Sequence, residues 1–157
     1  MPPCPASRLS RPWLRATLSA ALALTLFQAL PGQAQTGEAA LAAAAAEPGA
    51  VRTPSGLVFR SLRDGTGAQP TATDTVRVNY RGTLPDGREF DSSYKRGQPA
   101  SFALNRVIPC WTEGVQKMKV GGKAKLVCPP ALAYGDRGAG RDVPPGATLI
   151  FEVELLD

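Results

Sequence analysis

Apolar and polar residues alternate in the second half of the chain, which is the pattern of half-buried β-strands. In the segment 76–80, apolar residues occupy every second position. The same alternation returns at 149–155, where glutamates separate the apolar residues. Residues 123–128 predict a further strand, which ends at two consecutive prolines. The pattern therefore favours a domain built mainly from a sheet.

A turn and one short helix complete this pattern. Residues 85–87, Pro-Asp-Gly, predict a turn because proline fixes φ and glycine adopts positive φ, and 88–91 then returns as a strand. Only the segment 112–118 is typical of a helix, with apolar residues at i, i+4 and i+7 counted from Trp111. One short helix among antiparallel strands predicts an α+β fold, in which a curved antiparallel β-sheet, a half-barrel, wraps around the helix.

The first 34 residues are typical of a secretory signal peptide. Three arginines precede an apolar run at 16–30, which Pro31 ends, and small residues then predict cleavage after Ala34. An uncleaved membrane anchor is the alternative, but the run is short for a bilayer span. We therefore expect a periplasmic or secreted protein with no stable membrane association after cleavage.

Cleavage changes what the composition of this 157-residue chain implies. The three arginines leave with the signal, so 15 of the 18 basic residues remain beside 13 acidic ones, a net charge of +2 instead of +5. Such a small excess gives no support for nucleic-acid binding. Cys4 also leaves, and the even number of remaining cysteines in an exported protein suggests a disulfide.

Residues 35–52 are rich in alanine and nearly free of large apolar side chains. Such a segment is either a short helix or a disordered tether. We favour an Ala-rich flexible linker, because the segment cannot build a core. It is too short for a separate dimerisation domain, and we expect a monomer whose folded domain spans residues 53–157.

Few residues offer conventional catalytic chemistry. The absence of histidine excludes Ser-His-Asp and Cys-His catalysis and histidine-ligated metal sites. The glycine-rich segment 135–140 is followed by prolines and a strand, so we interpret it as a surface flap and not as a phosphate loop. Asp91 is the strongest acid candidate, although a solvated turn carboxylate is the simpler interpretation. No second carboxylate supports glycosidase-type pairing.

Three long motifs occur in order within residues 53–157: VRVNYRGTLPDGREFDSSY, VIPCWTEGVQKMKVGGKAKLVCPPALAYG and VPPGATLIFEVELL. Together they resemble the FKBP-type peptidyl-prolyl cis–trans isomerases. The resemblance implies a pocket in which Trp111 forms the floor. Val107 and Ile108 would form an apolar rim, where the Ile108 N–H holds a substrate carbonyl. The other substrate-binding residues that it implies are Tyr80, Phe90, Phe102, Val143 and Phe151.

The resemblance also implies the polar part of this site. Asp91 and Tyr134 would be the catalytic groups that face the bound peptide, and Arg96 would orient Asp91. Three positions depart from the bulky or apolar residues of relatives: Ala100, Ala139 and Asp142. They would leave the pocket more open on one side. This affects substrate preference and the binding of macrolide inhibitors of the rapamycin type.

The two remaining cysteines, Cys110 and Cys128, stand where relatives usually have other residues. No histidine is present to activate a nucleophile, and two cysteines alone do not complete a zinc shell. Two cysteines that relatives lack, in a protein expected in an oxidising compartment, favour a Cys110–Cys128 disulfide. Such a bond would stabilise the fold by roughly 3 kcal/mol. Buried free thiols remain the alternative.

The function implied by the resemblance is isomerisation of X-Pro bonds in unfolded or partly folded proline-containing polypeptides that are exported. This reaction makes and breaks no covalent bond, so we predict no cofactor and no metal. An FKBP-fold peptide-binding module or holdase chaperone with little isomerase activity is the alternative.

Overall fold

The computed structural model describes residues 37–157. The predicted signal peptide and its cleavage site after Ala34 lie outside the described residues. Seven strands of the described part form one antiparallel sheet in the order β1-β2-β6-β7-β3-β4, and β5 also pairs with β3. The strands are β1 Ala50–Arg52, β2 Val58–Arg63, β3 Thr75–Thr83, β4 Glu89–Ser92, β5 Ala100–Ala103, β6 Lys123–Cys128 and β7 Leu149–Leu155.

Short helices precede or connect these strands. The α-helices are α1 Gly37–Ala45, α2 Ser93–Arg96 and α3 Pro109–Val115, and three 3-10 turns cover Leu104–Arg106, Pro130–Leu132 and Gly135–Arg137. Within residues 37–157, no helix has the length and apolar character needed to cross a membrane. The predicted α+β architecture is confirmed.

The strands and the turn follow the alternation in the sequence. In β7, the buried positions are Leu149, Phe151, Val153 and Leu155, and the residues between them are partly exposed. The predicted turn joins β3 to β4, with Gly87 at φ +85° and a 2.8 Å hydrogen bond from the Leu84 N–H to the Arg88 carbonyl. Local sequence therefore determines both features.

Helix α3 begins three residues earlier than predicted. Pro109 occupies its first position, where the missing N–H has no helical partner to lose and the fixed φ suits the helix. The predicted apolar face holds, because Trp111, Val115 and Met118 are all buried. Met118 lies beyond the end of the helix and still packs into the core.

Close packing fixes α3 against β6. A Cβ atom at Gly114 would stand 2.8 Å from both Leu126 methyl carbons, so only glycine allows this approach. Cys110 and Cys128 are fully buried, and their sulfurs form a disulfide that spans 5.8 Å between Cα atoms. The disulfide joins the first turn of α3 to the last residue of β6.

Residues 37–52 differ from the predicted flexible linker. They form α1 and β1, and Leu41 and Ala44 of α1 are buried against Val58 and Val127 on the sheet face opposite α3. Glu47, just after α1, binds both Arg60 and Lys125. The alanine-rich segment is ordered because small side chains let α1 lie close to an apolar sheet face that the rest of the chain supplies. That complementarity is not visible in the segment itself.

Candidate functional site

An aromatic cavity of about 470 Å³ opens between α3, the sheet and the loop after β6. The strands and α3 supply most of its walls, so its shape follows from the fold. Its lining residues are Tyr80, Phe90, Asp91, Phe102, Arg106, Val107, Ile108, Trp111, Tyr134 and Phe151.

The indole of Trp111 forms the centre of this cavity. It makes edge-to-face contacts with three rings, at centroid distances of 5.2 Å to Tyr80, 5.3 Å to Phe102 and 5.4 Å to Phe151. Phe90 meets Phe151 in the same way at 5.5 Å. Edge-to-face pairs are each worth about 0.5–1.5 kcal/mol beyond the area they bury. The aromatic walls are therefore held rigidly by one another.

A three-residue polar network lies at one side of the cavity. The Tyr80 hydroxyl donates to Asp91 Oδ2, and the Arg96 guanidinium donates to Asp91 Oδ1 and, at 2.8 Å, to the Tyr80 hydroxyl oxygen. The Ser92 N–H also donates to Asp91 Oδ1 at 2.8 Å. Arg96 further lies 5.4 Å from the Tyr80 ring centre. Arg96 thus holds Asp91 in place from behind and does not line the cavity.

This network shifts the pKa values of Asp91 and Tyr80. Burial raises the pKa of Asp91, but the hydrogen bonds from Tyr80 and Arg96 and the Arg96 charge outweigh burial and bring the pKa below its usual value of 3.8. Burial and the bond to Asp91 raise the pKa of Tyr80 above 10.0. At neutral pH, Asp91 is therefore an ionised acceptor and Tyr80 a protonated donor.

The Ile108 N–H and the Tyr134 hydroxyl of the cavity have no hydrogen-bond partner within residues 37–157. The Ile108 N–H, which precedes α3, donates to no protein group there, while the Ile108 carbonyl accepts from the Trp111 N–H at 2.9 Å. The Tyr134 hydroxyl likewise has no partner in that part of the chain, and Tyr134 is 42 % exposed. Both groups can therefore bind a polar atom of a ligand.

The structure brings nine of the eleven predicted site residues together as cavity lining. Arg96 is the tenth and contacts the cavity through Asp91. Val143 is not among the residues that line the cavity; its backbone pairs with Ala139 in the flap, and its side chain is buried in the core. Ala100 and Asp142 are not among the lining residues either. Arg106 does line it and was missed, although its place directly before the predicted rim residues was a usable signal.

Within residues 37–157, no cluster of three or more Cys, Asp or Glu side chains is arranged to bind a metal ion.

A family model described as FKBP-type peptidyl-prolyl cis-trans isomerase matches residues 66–156. The chain belongs to this family. The resemblance seen in the motifs is therefore confirmed.

Individual relatives and a solved structure are similar to this chain. An isomerase named FkpA from Aeromonas hydrophila is 57% identical over 120 residues, which cover 76% of this chain and 44% of the relative. The crystal structure of FkpA from Escherichia coli superposes with a TM-score of 0.75 at 52% identity, covering 77% of this chain and 56% of the other. The "Outer membrane protein MIP" of Legionella longbeachae is 47% identical over 120 residues, 76% of this chain and 52% of the relative. The chain thus spans about half the length of the curated relatives it matches.

Proposed function

We propose that this FKBP-type chain accelerates the cis–trans isomerisation of X-Pro bonds in exported polypeptides. The observation that carries the proposal is the aromatic cavity, which combines a Trp111 floor with an ionised Asp91 and a free Ile108 N–H. A proline ring fits an aromatic floor, and an N–H that lacks a protein partner suits the carbonyl of a bound peptide.

The reaction needs a cavity of this kind and no covalent chemistry. Rotation about a peptide bond must break its resonance, at a barrier of roughly 18–20 kcal/mol. The planar amide is more dipolar than the twisted one, so transfer from water into an apolar cavity disfavours the planar ground state. Asp91 and the Tyr134 hydroxyl then stabilise the altered charge of the twisted amide. Because three protein groups hold Asp91 in place, it needs no reorientation during the reaction.

The experiment is a protease-free fluorescence assay of prolyl-peptide isomerisation, with and without rapamycin. We expect Asp91→Ala to lower kcat/KM by about tenfold or more, because a charge-assisted contact is lost. Tyr134→Phe, which removes one hydroxyl, should lower it about two- to tenfold. Asp136→Ala and Tyr94→Phe change the same residue types outside the cavity and should leave kcat/KM unchanged.

The outcomes of this assay separate the candidate functions and the contributions to catalysis. A wild-type rate no faster than solvent would contradict the proposed enzyme, and peptide binding without acceleration would favour the holdase alternative. Full activity in both Asp91→Ala and Tyr134→Phe would leave catalysis to the apolar cavity alone. Inhibition by rapamycin would show that the macrolide binds despite Ala100, Ala139 and Asp142.

The pH dependence of activity provides a separate prediction. The pKa of Asp91 is lower in the folded protein than its usual value of 3.8, so the carboxylate stays ionised, and stabilises the fold, at every pH above that value. The negative charge of Asp91 and its stabilisation of the fold are lost only as the pH falls through this lowered pKa. With no histidine in the chain, we expect kcat/KM to be flat from about pH 5 to 8.

The measurement is kcat/KM against pH, with circular dichroism at each pH to record the folded fraction. A bell-shaped profile centred near neutral pH would contradict the assignment of an ionised Asp91 and the absence of other titrating groups. Asp136→Ala serves as the control and should follow the wild-type profile.

We further propose that the chain works in the periplasm or outside the cell. The signal-like residues 1–34 and the Cys110–Cys128 disulfide, which persists in oxidising compartments, support this location. The mass of the chain recovered from a periplasmic extract tests it, since cleavage after Ala34 predicts a protein that starts at Gln35.

A further inference from the structure

Arg106 stands at the mouth of the aromatic cavity. It is the last residue of the 3-10 turn Leu104–Arg106 and is followed directly by the rim residues Val107 and Ile108. It is exposed and lines the cavity. Among residues 37–157, no carboxylate forms an ion pair with it and no hydrogen bond engages its guanidinium. Its charge is therefore available to a bound molecule.

The other charge of the cavity lining is already neutralised. Asp91 and Arg106 are the only charged residues that line the cavity in the described part of the chain. Arg96 forms an ion pair with Asp91 from behind. The uncompensated charge at the mouth is consequently the positive charge of Arg106.

We propose that Arg106 makes this isomerase prefer client segments with an Asp or Glu side chain close to the isomerising proline. The inference rests on the proposed function and specifies its substrate class. A guanidinium binds a carboxylate through two parallel N–H···O bonds, which gives direction as well as attraction. A lysine or arginine at the same place in the client would be repelled.

The position of Arg106 determines which part of a client it reaches. The free Ile108 N–H lies two residues further along the chain and would hold a peptide carbonyl inside the cavity. Arg106 lies outside that point, at the exposed rim. It therefore contacts residues that flank the X-Pro pair, and the aromatic walls contact the proline.

The test uses peptides with one X-Pro bond in which Glu, Gln or Lys is placed in turn at each of the two positions on either side of that pair. Wild type is compared with Arg106→Glu and with Arg52→Glu. Arg52 is an exposed arginine of β1 outside the cavity and forms no ion pair within residues 37–157, so its variant reproduces the change in net charge.

At one or more positions, we expect wild type to turn over the Glu peptide about two- to fivefold faster in kcat/KM than the Gln peptide, and the Lys peptide more slowly than either. The difference should lie mainly in KM, because a contact at the rim acts equally on ground and transition states. Arg106→Glu should reverse the order, so that Lys peptides become the better substrates. Arg52→Glu should keep the wild-type order, and added salt should reduce the preference.

Equal Glu-to-Gln ratios in wild type and Arg106→Glu at every position would overturn the inference. So would an equal loss of activity on all peptides in Arg106→Glu, which would indicate a structural role. If Arg106→Glu does not fold, Arg106→Gln should abolish the preference without reversing it, and an unchanged preference there also overturns the inference. Absence of wild-type activity on the Gln peptides would instead contradict the proposed function.

Discussion

Loss of the Cys110–Cys128 disulfide is expected to lower the free energy of unfolding by about 3 kcal/mol. The bond closes a loop with a sequence separation of 18 and restricts the unfolded chain, which accounts for this magnitude in the chain-entropy description. Both cysteines are fully buried, so serine at these positions would bury hydroxyls without partners. The double variant Cys110→Ala/Cys128→Ala is therefore preferred to the serine variant. Denaturant unfolding followed by Trp111 fluorescence measures the change.

Reducing agent provides the internal control for this prediction. Dithiothreitol in the denaturant should destabilise wild type nearly as much as the double substitution does and should not affect the double variant. An equal unfolding midpoint for wild type with and without reductant would contradict a stabilising disulfide. Two free thiols in the unfolded, unreduced protein would show that the bond does not form.

Replacing Trp111 should have the largest combined effect on stability and activity. Trp111→Ala removes a side chain that is 4 % exposed and touches three aromatic rings, and we expect a loss of about 3–5 kcal/mol in the free energy of unfolding. It also removes the cavity floor. A decrease in kcat/KM of about tenfold or more follows if the indole contributes at least about 1.4 kcal/mol to binding the transition state.

A second substitution in the same helix separates these two effects. Val115 is fully buried in α3, one turn after Trp111, and does not line the cavity. Val115→Ala should therefore lower stability while the folded fraction keeps wild-type kcat/KM. Trp111→Leu retains more of the apolar volume and should fold where Trp111→Ala does not, yet remain impaired. Wild-type kcat/KM in Trp111→Leu would contradict the role of the aromatic floor.

The residues of the cavity show how much of the site the sequence motifs predict. Five aromatic residues were assigned from the motifs, and all five line the cavity: Tyr80, Phe90, Phe102, Trp111 and Phe151. Val143 was assigned from the same motifs but is not among the lining residues. In the flap, the backbones of Ala139 and Val143 pair with each other, a contact that the motif does not specify.

The structure of the alanine-rich segment could not be predicted from its own sequence. Leu41 and Val51 are the only large apolar side chains of residues 35–52, too weak a periodic signal to distinguish a docked helix from a tether. Its order depends on Val58 and Val127, two strand residues outside the segment that pack against Leu41 and Ala44. Glu47 then fixes the segment through Arg60 and Lys125. Residues 35–52 alone do not reveal these contacts.

The sequence by itself determined the alternating strands, the Pro-Asp-Gly turn, the apolar face of α3 and the family, because periodicity, turn chemistry and ordered motifs are properties of neighbouring residues. Only the tertiary structure decided three features: the docking of α1, the lowered pKa of Asp91 and the unpaired charge of Arg106. Each depends on which groups meet across the fold, such as Tyr80 and Arg96 at Asp91. Contacts between distant parts of the chain set these energies, and the local pattern does not encode them.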